Sequence, residues 1–516
     1  MSSAEPGASV KAEARTALAC GVLVLLAGLA YINALDNPFV YDDYRTVVDN
    51  PSIRSLVNVR HLLLHDLSRP LTSASYALDY AVWGGRAFGY RLTNVVLHAL
   101  NVTLLFALMR QLSGDRADRA GGAPGTKHPA LAAFVAAAWL AVHPMMTESV
   151  AYISGRSDVL CATFFLLAMM AGRTWLRDGG LVTGTLMLAA WVFSMAAKET
   201  GAMFPFVLAV YDRLALDRIG WHQRSRRIHV PLIGIALLLG FARLVVLVVF
   251  ENPGQARVHW PYVWLALDVV RRYTTLLLAP LGQSIFHAVD NVTMLSAPTA
   301  MAIAMLALIV GLAWQCRRAA WMCSFGLVWF LLLLLPGAVL TMLNQGEPMA
   351  EHRVYLASCG LFLAIGDGVG RASAWFERRG LRRWVSRVAI GLVLVSYLGL
   401  TITRNQMWSS PVSLWGEAVD LAPEHFRPRL LLGEALEDAG RRSEAADEYR
   451  TAIQLQPGDP TGHIKLGQLL ARTGQIQAAR EQFQLVLAAD PQNEHAHQSL
   501  AMLDRLPTQN GKGPQP

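Results

Sequence analysis

Two adjacent acidic residues, Asp42 and Asp43, lie within the stretch Pro38–Tyr44, a few residues after the first apolar segment of the chain. Two carboxylates beside aromatic residues at the edge of a bilayer are costly unless they are solvated, paired or used in chemistry. Together they could serve as a general base and an orienting acid, taking a proton from an acceptor hydroxyl. The alternative interpretation is a solvated pair that forms a turn and caps a helix.

A second group of residues could bind a lipid phosphate or a sugar, because a guanidinium group can donate two hydrogen bonds to phosphate oxygens at once. The candidates for this donor site are Arg69, Arg156, Arg271, Arg272, Glu351, His352 and Arg353. The alternatives are arginines whose side chains extend to the membrane interface and an interfacial cluster of salt bridges at 351–353. In the functional interpretation, Arg353 supplies positive charge to the phosphate.

Five further polar residues are candidates for a supporting role: His143, Glu148, Asp158, Lys198 and Glu199. The alternatives are a hydrogen-bonded turn network between two helices around His143 and an internal ion pair at a helix hairpin for Lys198-Glu199. His143 and Glu148 lack the HExxH spacing of a zinc protease. The five cysteines, without a CxxC pair, indicate neither a disulfide framework nor a zinc site. Acid pairs can hold Mg²⁺ or Mn²⁺, but no full ligand set is readable, so a divalent cation is left open and no cofactor is assigned.

A membrane domain must position these residues, because 53% of the 516 residues are hydrophobic and only 16% are charged. Soluble chains carry about 25% charged residues. Runs of roughly 20 apolar residues predict membrane-spanning helices. Eleven are predicted, at 16–34, 89–109, 129–143, 157–172, 181–197, 201–215, 229–250, 297–315, 320–342, 353–370 and 386–403. A twelfth run, 262–280, has three charged residues at its centre, which predicts an interfacial or cavity-lining helix rather than a span.

Lysine and arginine are concentrated in alternate loops between the apolar runs, which sets the predicted orientation. This pattern predicts a cytoplasmic tail at 1–15 and a membrane domain at 16–404 with a long first outer loop at 35–88. In this topology the candidate clusters, from Asp42-Asp43 to 351–353, fall on the outer side. Since the basic loops alone determine the orientation, the convergence of these clusters on one face favours a functional site there.

The C-terminal region carries a repeat with a period of 34 residues, marked by Pro423, Pro457 and Pro491. This period, with small residues at fixed positions, is typical of tetratricopeptide repeats, whose stacked helix pairs bury a common core. The sequence predicts a repeat domain at 405–506 and a disordered tail at 507–516. Such repeats commonly hold extended peptides, so the alternative is a docking module without chemistry.

Six motifs, taken in order, resemble a known family. They are FVYDD at 39–43, RPL at 69–71, YRLTNVVLH at 90–98, HPMMTESVAYISGRSD at 143–158, KETG at 198–201 and AEHRVYL at 350–356. Over about residues 30–505 the chain resembles the transmembrane and tetratricopeptide-repeat O-mannosyltransferases, which are multi-spanning glycosyltransferases of fold type C. The resemblance implies a GT-C-like membrane domain and matches Asp42-Asp43 to the family's catalytic acidic motif. It also implies a polyprenyl-phosphate-linked donor, typically of mannose, and a Ser or Thr hydroxyl as acceptor.

The sequence therefore predicts an all-α, polytopic membrane glycosyltransferase with a C-terminal tetratricopeptide α-solenoid that docks a protein acceptor or partner. The Ala-, Arg- and Gly-rich composition predicts a bacterial inner-membrane protein whose site and repeats face the periplasm, or the lumen of the endoplasmic reticulum in a eukaryote. No nucleic-acid partner is predicted, because the membrane topology accounts for the basic residues. The alternatives are a lipid-linked-sugar transporter or flippase, which would place its charges near mid-membrane, and a non-catalytic membrane-anchored repeat scaffold.

Overall fold

The computed structural model describes residues 6–115, 128–216, 220–251, 258–289, 295–343, 347–380 and 382–505. Every regular element in these ranges is helical, which confirms the predicted all-α class. The predicted disordered tail at 507–516 and the first five residues of the predicted cytoplasmic tail lie outside the described residues. The chain divides into two compact units, Met1–Gln283 with Val289–Ser409 and Ser284–Ala288 with Ser410–Pro516.

The first unit contains sixteen α-helices within its described residues, joined by loops and short 3₁₀ or π turns. They are α1 (Pro6–Tyr31), α2 (Val59–His65), α3 (Pro70–Trp83), α4 (Ala87–Gly114), α5 (Pro129–Val142), α6 (Thr147–Val150), α7 (Arg156–Asp178), α8 (Leu181–Ala197), α9 (Phe204–Ala215), α10 (Trp221–Arg224), α11 (Val230–Val245), α12 (Tyr262–Leu278), α13 (Ala297–Ala319), α14 (Trp321–Met342), α15 (Tyr355–Arg378) and α16 (Arg383–Met407).

Seven helices in the described ranges are long and apolar enough to cross a membrane: Lys11–Ala34, Ala87–Gly114, Ile153–Asp178, Trp221–Phe250, Ala297–Ala319, Trp321–Met342 and Arg383–Met407. An eighth is added if Pro129–Val142 and Pro144–Val150, bent by 56°, form one span. The other predicted spans, at 181–197, 201–215 and 353–370, form α8, α9 and α15 but do not meet the length and composition required. A multi-spanning membrane domain is therefore confirmed, and the number of eleven crossings stays a prediction.

The interior of this unit is formed by α4, α5, α7, α14 and α15, and their close approach depends on small residues. A Cβ on Gly326 of α14 would lie 2.3 Å from the carbonyl oxygen of Gly360 on α15, and one on Gly366 would lie 2.5 Å from that of Ala132 on α5. Small residues at such crossings let helix backbones pack closely in a membrane. In contrast, only 11% of the apolar window is buried in the spans Trp221–Phe250 and Arg383–Met407, which leaves both at the periphery.

The second unit is a stack of six helices, α17 (Pro411–Leu421), α18 (Phe426–Asp438), α19 (Arg442–Leu455), α20 (Pro460–Arg472), α21 (Ile476–Ala489) and α22 (Glu494–Arg505). Each helix packs against the next one. The 34-residue period appears in the packing, because Gly433 on α18 faces the Tyr449 ring and Gly467 on α20 faces the Phe483 ring. A Cβ at these glycines would lie 2.5 and 2.6 Å from the rings. The predicted tetratricopeptide arrangement at the C-terminus is confirmed.

Candidate active site

The acid pair lies in the segment between α1 and α2, which the sequence predicts to be the first outer loop, immediately before a π turn at Tyr44–Val48. The preceding residue, Tyr41, has φ = 49°, and no other non-glycine residue in the described ranges has a positive φ. This left-handed conformation is unfavourable for a bulky aromatic residue. Such strain persists only where the surrounding structure holds it, and it is concentrated at functional sites. The backbone conformation at Tyr41 thus helps to set the directions of the Asp42 and Asp43 side chains.

Asp43 is fully buried, and donors surround its carboxylate. Oδ1 accepts hydrogen bonds from the backbone N–H and the hydroxyl of Ser154, both at 2.9 Å, and Oδ2 accepts one from the N–H of Val40 at 3.2 Å. Burial raises the pKa of Asp43 to about 6, although the charge of Arg91 and these hydrogen bonds oppose the increase. Asp43 therefore anchors the loop to the segment that contains Ser154.

Arg91 of α4 also holds the loop that contains the acid pair. Its Nε donates to the carbonyl of Ala151 at 2.8 Å, and its two terminal nitrogens donate to the carbonyls of Asn37 and Pro38. The side chain is buried, so these carbonyls lose water and gain a charged donor in exchange. Arg91 thereby joins the start of the outer loop to the segment between α6 and α7.

Asp42 differs from its neighbour because its side chain is not used in the structure. Its backbone N–H donates to the hydroxyl of Tyr152 at 3.1 Å, and its carbonyl accepts from the hydroxyl of Thr46 at 2.9 Å. Within the described part of the chain, its carboxylate has no hydrogen-bond or ion-pair partner, and the residue is only half-buried. The main chain of Asp42 is fixed while its carboxylate stays available to a substrate.

We expect Asp43 to make the fold less stable as the pH rises from about 4 to about 6. The unfolded chain releases this proton near pH 3.8, whereas the folded chain keeps it until about pH 6. Between these values the folded state binds more protons, so the stabilisation is complete below 3.8 and is lost as the pH rises through 6. Thermal midpoints of wild type and Asp43→Asn, measured from pH 4 to 7, should diverge in favour of Asn. A difference that is constant with pH would contradict the assignment.

A cavity of about 100 Å³ lies between α12, α14 and the residues around Arg69, Lys198 and His352. This volume is well above the roughly 10–15 Å³ that one water molecule needs. We call it the cationic cavity. Its polar wall consists of Arg69, Lys198, Glu199, Thr200, Tyr273, His352 and Arg353. Its apolar wall comes from α12 and from the C-terminal half of α14, including Val269, Leu333 and Leu340. Three basic side chains against one carboxylate, beside an apolar wall, suit an anionic group that carries a lipid chain.

The cations of this cavity differ in how firmly they are paired. Lys198 Nζ lies 2.6 Å from Asp158 Oδ2, and both side chains are buried. Arg69 and Glu199 are more loosely paired at 3.8 Å. Burial disfavours the charged form of Glu199, but the charges of Arg69 and Lys198 outweigh it and lower the pKa of Glu199 to about 2. Four residues predicted from the sequence are therefore brought together at this cavity: Arg69, Asp158, Lys198 and Glu199.

The turn Glu351–Val354 before α15 forms another side of this region. Glu148 of α6 accepts from the N–H of Glu351 at 2.8 Å and lies 2.5 Å from Nδ1 of His352. The buried carboxylate of Glu351 accepts from Gln283 at 3.0 Å. Arg353 donates to the carbonyl of Glu347 at 2.7 Å, and no carboxylate in the described ranges pairs with its guanidinium. Arg353 is thus the cation of the cavity with the most capacity for a ligand.

Arg156 makes its hydrogen bonds, ion pair and ring contact inside the protein. It is fully buried and donates to Asn94 at 2.7 Å and to the carbonyl of Tyr90 at 2.5 Å. It also forms an ion pair with Asp79, and its guanidinium lies 4.8 Å from the centre of the Tyr76 ring. These contacts occupy the guanidinium, and we do not include Arg156 among the ligands proposed for the donor phosphate.

Arg271 and Arg272 lie on the face of α12 that is turned away from the cationic cavity. Both donate to the buried carboxylate of Asp268 at 2.7 Å. The cavity is lined instead by Ala266, Val269, Val270 and Tyr273 of the same helix. The two arginines neutralise Asp268, and they are also left out of the proposed phosphate ligands.

His143 ends α5 in a fully buried position, with no exposure to either site. Its Nδ1 accepts from the N–H of Met145 at 3.2 Å, so Nε2 carries the proton and donates to the carbonyl of Leu277 at 3.0 Å. Both ring nitrogens therefore form hydrogen bonds to the backbone, one just after α5 and one near the end of α12. This matches the hydrogen-bonded turn network that the sequence left open as the alternative.

Tyr76 of α3 connects the two parts of the candidate site. Its hydroxyl donates to the carbonyl of Ile153 at 2.9 Å, next to the Ser154 that holds Asp43. Burial raises the pKa of Tyr76, and the charges of Asp43 and Arg69 both act on its hydroxyl. Asp43 of the acid pair and Arg69 of the cationic cavity thus both lie close enough to this buried tyrosine for their charges to act on it.

Several residues that hold the site together were not among those predicted from the sequence: Asp79, Arg91, Tyr152, Ser154 and Tyr273. Arg91 had a readable signal, since it is a charge inside an apolar span. The others are ordinary polar residues whose roles depend on partners far away in sequence. The Asp43 carboxylate already accepts three hydrogen bonds from N–H and O–H donors, which leaves it little capacity to bind a cation. No three His, Cys, Asp or Glu residues come together for a metal in the described ranges.

Known proteins are similar to this chain in two ways: a repeat family matches its C-terminal part, and named transferases match most of its length. The tetratricopeptide-repeat family model matches residues 412–460 and 430–494. Protein O-mannosyl-transferase Tmtc3 of Drosophila melanogaster is 26% identical over 90% of this chain and 58% of its own length. Protein O-mannosyl-transferase TMTC1 of Homo sapiens is 25% identical over 88% of this chain and 57% of its own length. The chain thus spans less than two thirds of the length of these curated relatives.

Among solved structures, the crystal structure of ArnT from Cupriavidus metallidurans bound to undecaprenyl phosphate aligns with 90% of this chain and 80% of its own. The TM-score is 0.41 at 14% identity, a likeness that carries no inference about fold or ligand. The two sequence relatives align with 88–90% of this chain. The resemblance predicted from the motifs is therefore confirmed, and the chain is a relative of the protein O-mannosyl-transferases.

Proposed function

We propose that this protein is a membrane glycosyltransferase that moves a sugar, with mannose the first candidate, from a polyprenyl-phosphate donor to a Ser or Thr hydroxyl of a protein. One observation carries the proposal. An uncommitted carboxylate, Asp42, is held by its backbone beside the hydrogen-bonded carboxylate of Asp43. Asp43 and Arg69, which lines a cavity with cationic and apolar walls, both act electrostatically on Tyr76. The names of the curated relatives supply the sugar and the protein acceptor.

Asp42 is the general base in this proposal, and Asp43 is the residue that positions it. A base needs a lone pair that the protein does not already use, and Asp43 receives three hydrogen bonds while the Asp42 carboxylate receives none in the described ranges. The strained Tyr41 and the contacts of Arg91 fix the turn between them. The structure thus supports distinct roles for two adjacent acids that the sequence alone does not distinguish.

The cationic cavity binds the donor phosphate. Arg353 supplies a guanidinium that no carboxylate of the described ranges pairs with, and Lys198 and Arg69 add positive charge to the same cavity. The lipid chain runs along the apolar wall from α12 and α14 toward the bilayer. His352 and Glu351, held by Glu148 and Gln283, fix the turn from which Arg353 extends.

The reaction is an in-line displacement at the anomeric carbon. The acceptor hydroxyl gives its proton to Asp42 while its oxygen forms the new bond to the anomeric carbon, and the bond from that carbon to the phosphate oxygen breaks. The electron pair leaves with the lipid phosphate, whose extra negative charge the cavity arginines and Lys198 stabilise. Because this leaving group departs ionised, the mechanism needs no general acid, and no step is assigned to a metal ion.

The site faces the non-cytoplasmic side in this proposal, which is the periplasm if the chain is bacterial. The concentration of basic residues in the loops at the opposite ends of the spans supports this orientation. The tetratricopeptide unit, α17–α22, holds the acceptor or its partner, which raises the local concentration of hydroxyl groups.

Purified full-length protein in lipid nanodiscs tests the proposal directly. We expect transfer of radiolabel from polyprenyl-phosphate mannose to a Ser/Thr-rich polypeptide, sensitive to mild alkali as an O-linked sugar. Parallel reactions with polyprenyl-phosphate glucose and with GDP-mannose identify the donor. Transfer from GDP-mannose but not from a lipid-linked donor would overturn the donor assignment, and the absence of transfer from every donor would overturn the enzyme assignment.

A further inference from the structure

Trp408, directly after α16, makes the contact that leads to the acid pair. It is 1% exposed, and its ring packs against that of Tyr152, with 5.2 Å between the centroids and 33° between the planes. The hydroxyl of Tyr152 in turn accepts a hydrogen bond from the backbone N–H of Asp42 at 3.1 Å. Only one side chain therefore separates Trp408 from the main chain of the proposed base.

The last turn of α16 is also hydrogen-bonded to the end of α1 and to the residues that follow it. The side chain of Asn405 donates to the carbonyl of Ala30 at 2.8 Å and to the side chain of Asn33 at 2.9 Å. The carbonyl of Asn405 accepts from the side chain of Asn37 at 3.2 Å, and Asn37 is itself one of the residues held by Arg91. Buried polar bonds of this kind fix one arrangement of the chain.

The indole N–H of Trp408 is buried and has no acceptor among the described residues. A buried donor without a partner is destabilising, and phenylalanine would fill part of this space without that cost. The face of the Trp408 ring, and not its N–H, makes the contact with Tyr152. The effects of the ring and of the N–H can therefore be separated by substitution.

We infer that Trp408 is a positioning residue for the transfer reaction: its ring fixes Tyr152, and Tyr152 fixes the backbone of Asp42. This inference rests on the proposed function, in which Asp42 is the base. In sequence, Trp408 is followed by Ser409 and then by Ser410, where the repeat unit begins. The residue that positions the proposed base is thus next to the covalent link between the membrane unit and the repeats.

Full-length Trp408→Leu and Trp408→Phe proteins test the inference, with Trp384→Leu as the matched control. Trp384 lies at the start of α16, the helix that precedes Trp408, and is 58% exposed. Leucine keeps apolar volume without a planar face, so we expect kcat to fall about 10–100-fold, as for a small misplacement of a reacting group. The KM for the lipid donor should stay within about twofold, because no cavity residue changes. Phenylalanine should restore most of kcat.

Hydrogen exchange at the Asp42 amide provides a readout that does not depend on activity. We expect its protection to fall about tenfold in Trp408→Leu and to be unchanged in Trp384→Leu. Unchanged kcat and unchanged exchange in Trp408→Leu would overturn the inference, and so would a Trp408→Phe protein as impaired as Trp408→Leu. If the wild type transfers no sugar, the proposed function fails, whereas the exchange measurement still decides whether Trp408 holds the Asp42 backbone.

Discussion

Replacement of Asp42 by asparagine should lower sugar transfer by about 10²–10⁴-fold, the usual contribution of a positioned general base. The carboxylate has no partner in the described ranges, so its loss leaves no donor unsatisfied and should not alter the fold. The asparagine amide keeps the shape of the side chain but cannot accept the proton of the acceptor hydroxyl. We expect the loss in kcat, with donor affinity unchanged because the cationic cavity is intact.

The matched variants separate the base from its neighbour. Asp43→Asn keeps one oxygen for Ser154 but places an NH₂ group toward the N–H of Val40, so we expect a smaller loss in kcat and a shift in stability. Asp49→Asn, an exposed acid in the same loop, serves as the control for charge alone. Normal transfer by Asp42→Asn, with a severe loss in Asp43→Asn, would reverse the assigned roles.

The helices were predictable because their signals are local. All eleven apolar runs are helical, and the repeat period of 34 residues follows from glycines that must face an aromatic ring, as at Gly433 and Gly467. The pairing of Arg271 and Arg272 with Asp268 was also readable, since residues three and four apart on a helix are neighbours.

The arrangement of the site was less predictable because it depends on contacts between distant segments. Ser154 holds Asp43 from 111 positions away, and Glu148 holds Glu351 from 203 positions away. No periodicity records such pairs. Arg91 binds backbone carbonyls, which every residue possesses, so its role leaves no pattern in the side chains of its partners. Motif order indicated which segments converge, but the roles of Asp42 and Asp43 could only be separated by counting hydrogen bonds in the structure.

Removal of the Arg156 side chain should reduce stability by about 3–5 kcal/mol, the usual effect of leaving a buried ion without its partner. In Arg156→Met the carboxylate of Asp79 stays buried with only the hydroxyl of Thr93, and the side chain of Asn94 and the carbonyl of Tyr90 each lose a charged donor. We expect a lower thermal midpoint in detergent. Any loss of transfer should follow the loss of folded protein.

A double-mutant cycle distinguishes this structural role from binding of the donor phosphate. Asp79→Asn removes the charge but keeps an oxygen for Thr93, so the Arg156→Met/Asp79→Asn protein should be more stable than Arg156→Met alone. Arg45→Met, in an exposed position of the first outer loop, controls for the loss of one positive charge. If Arg156→Met instead kept the wild-type midpoint and raised only the KM for the lipid donor, Arg156 would be a phosphate ligand. The ion pair with Asp79 would then have to open when the donor binds.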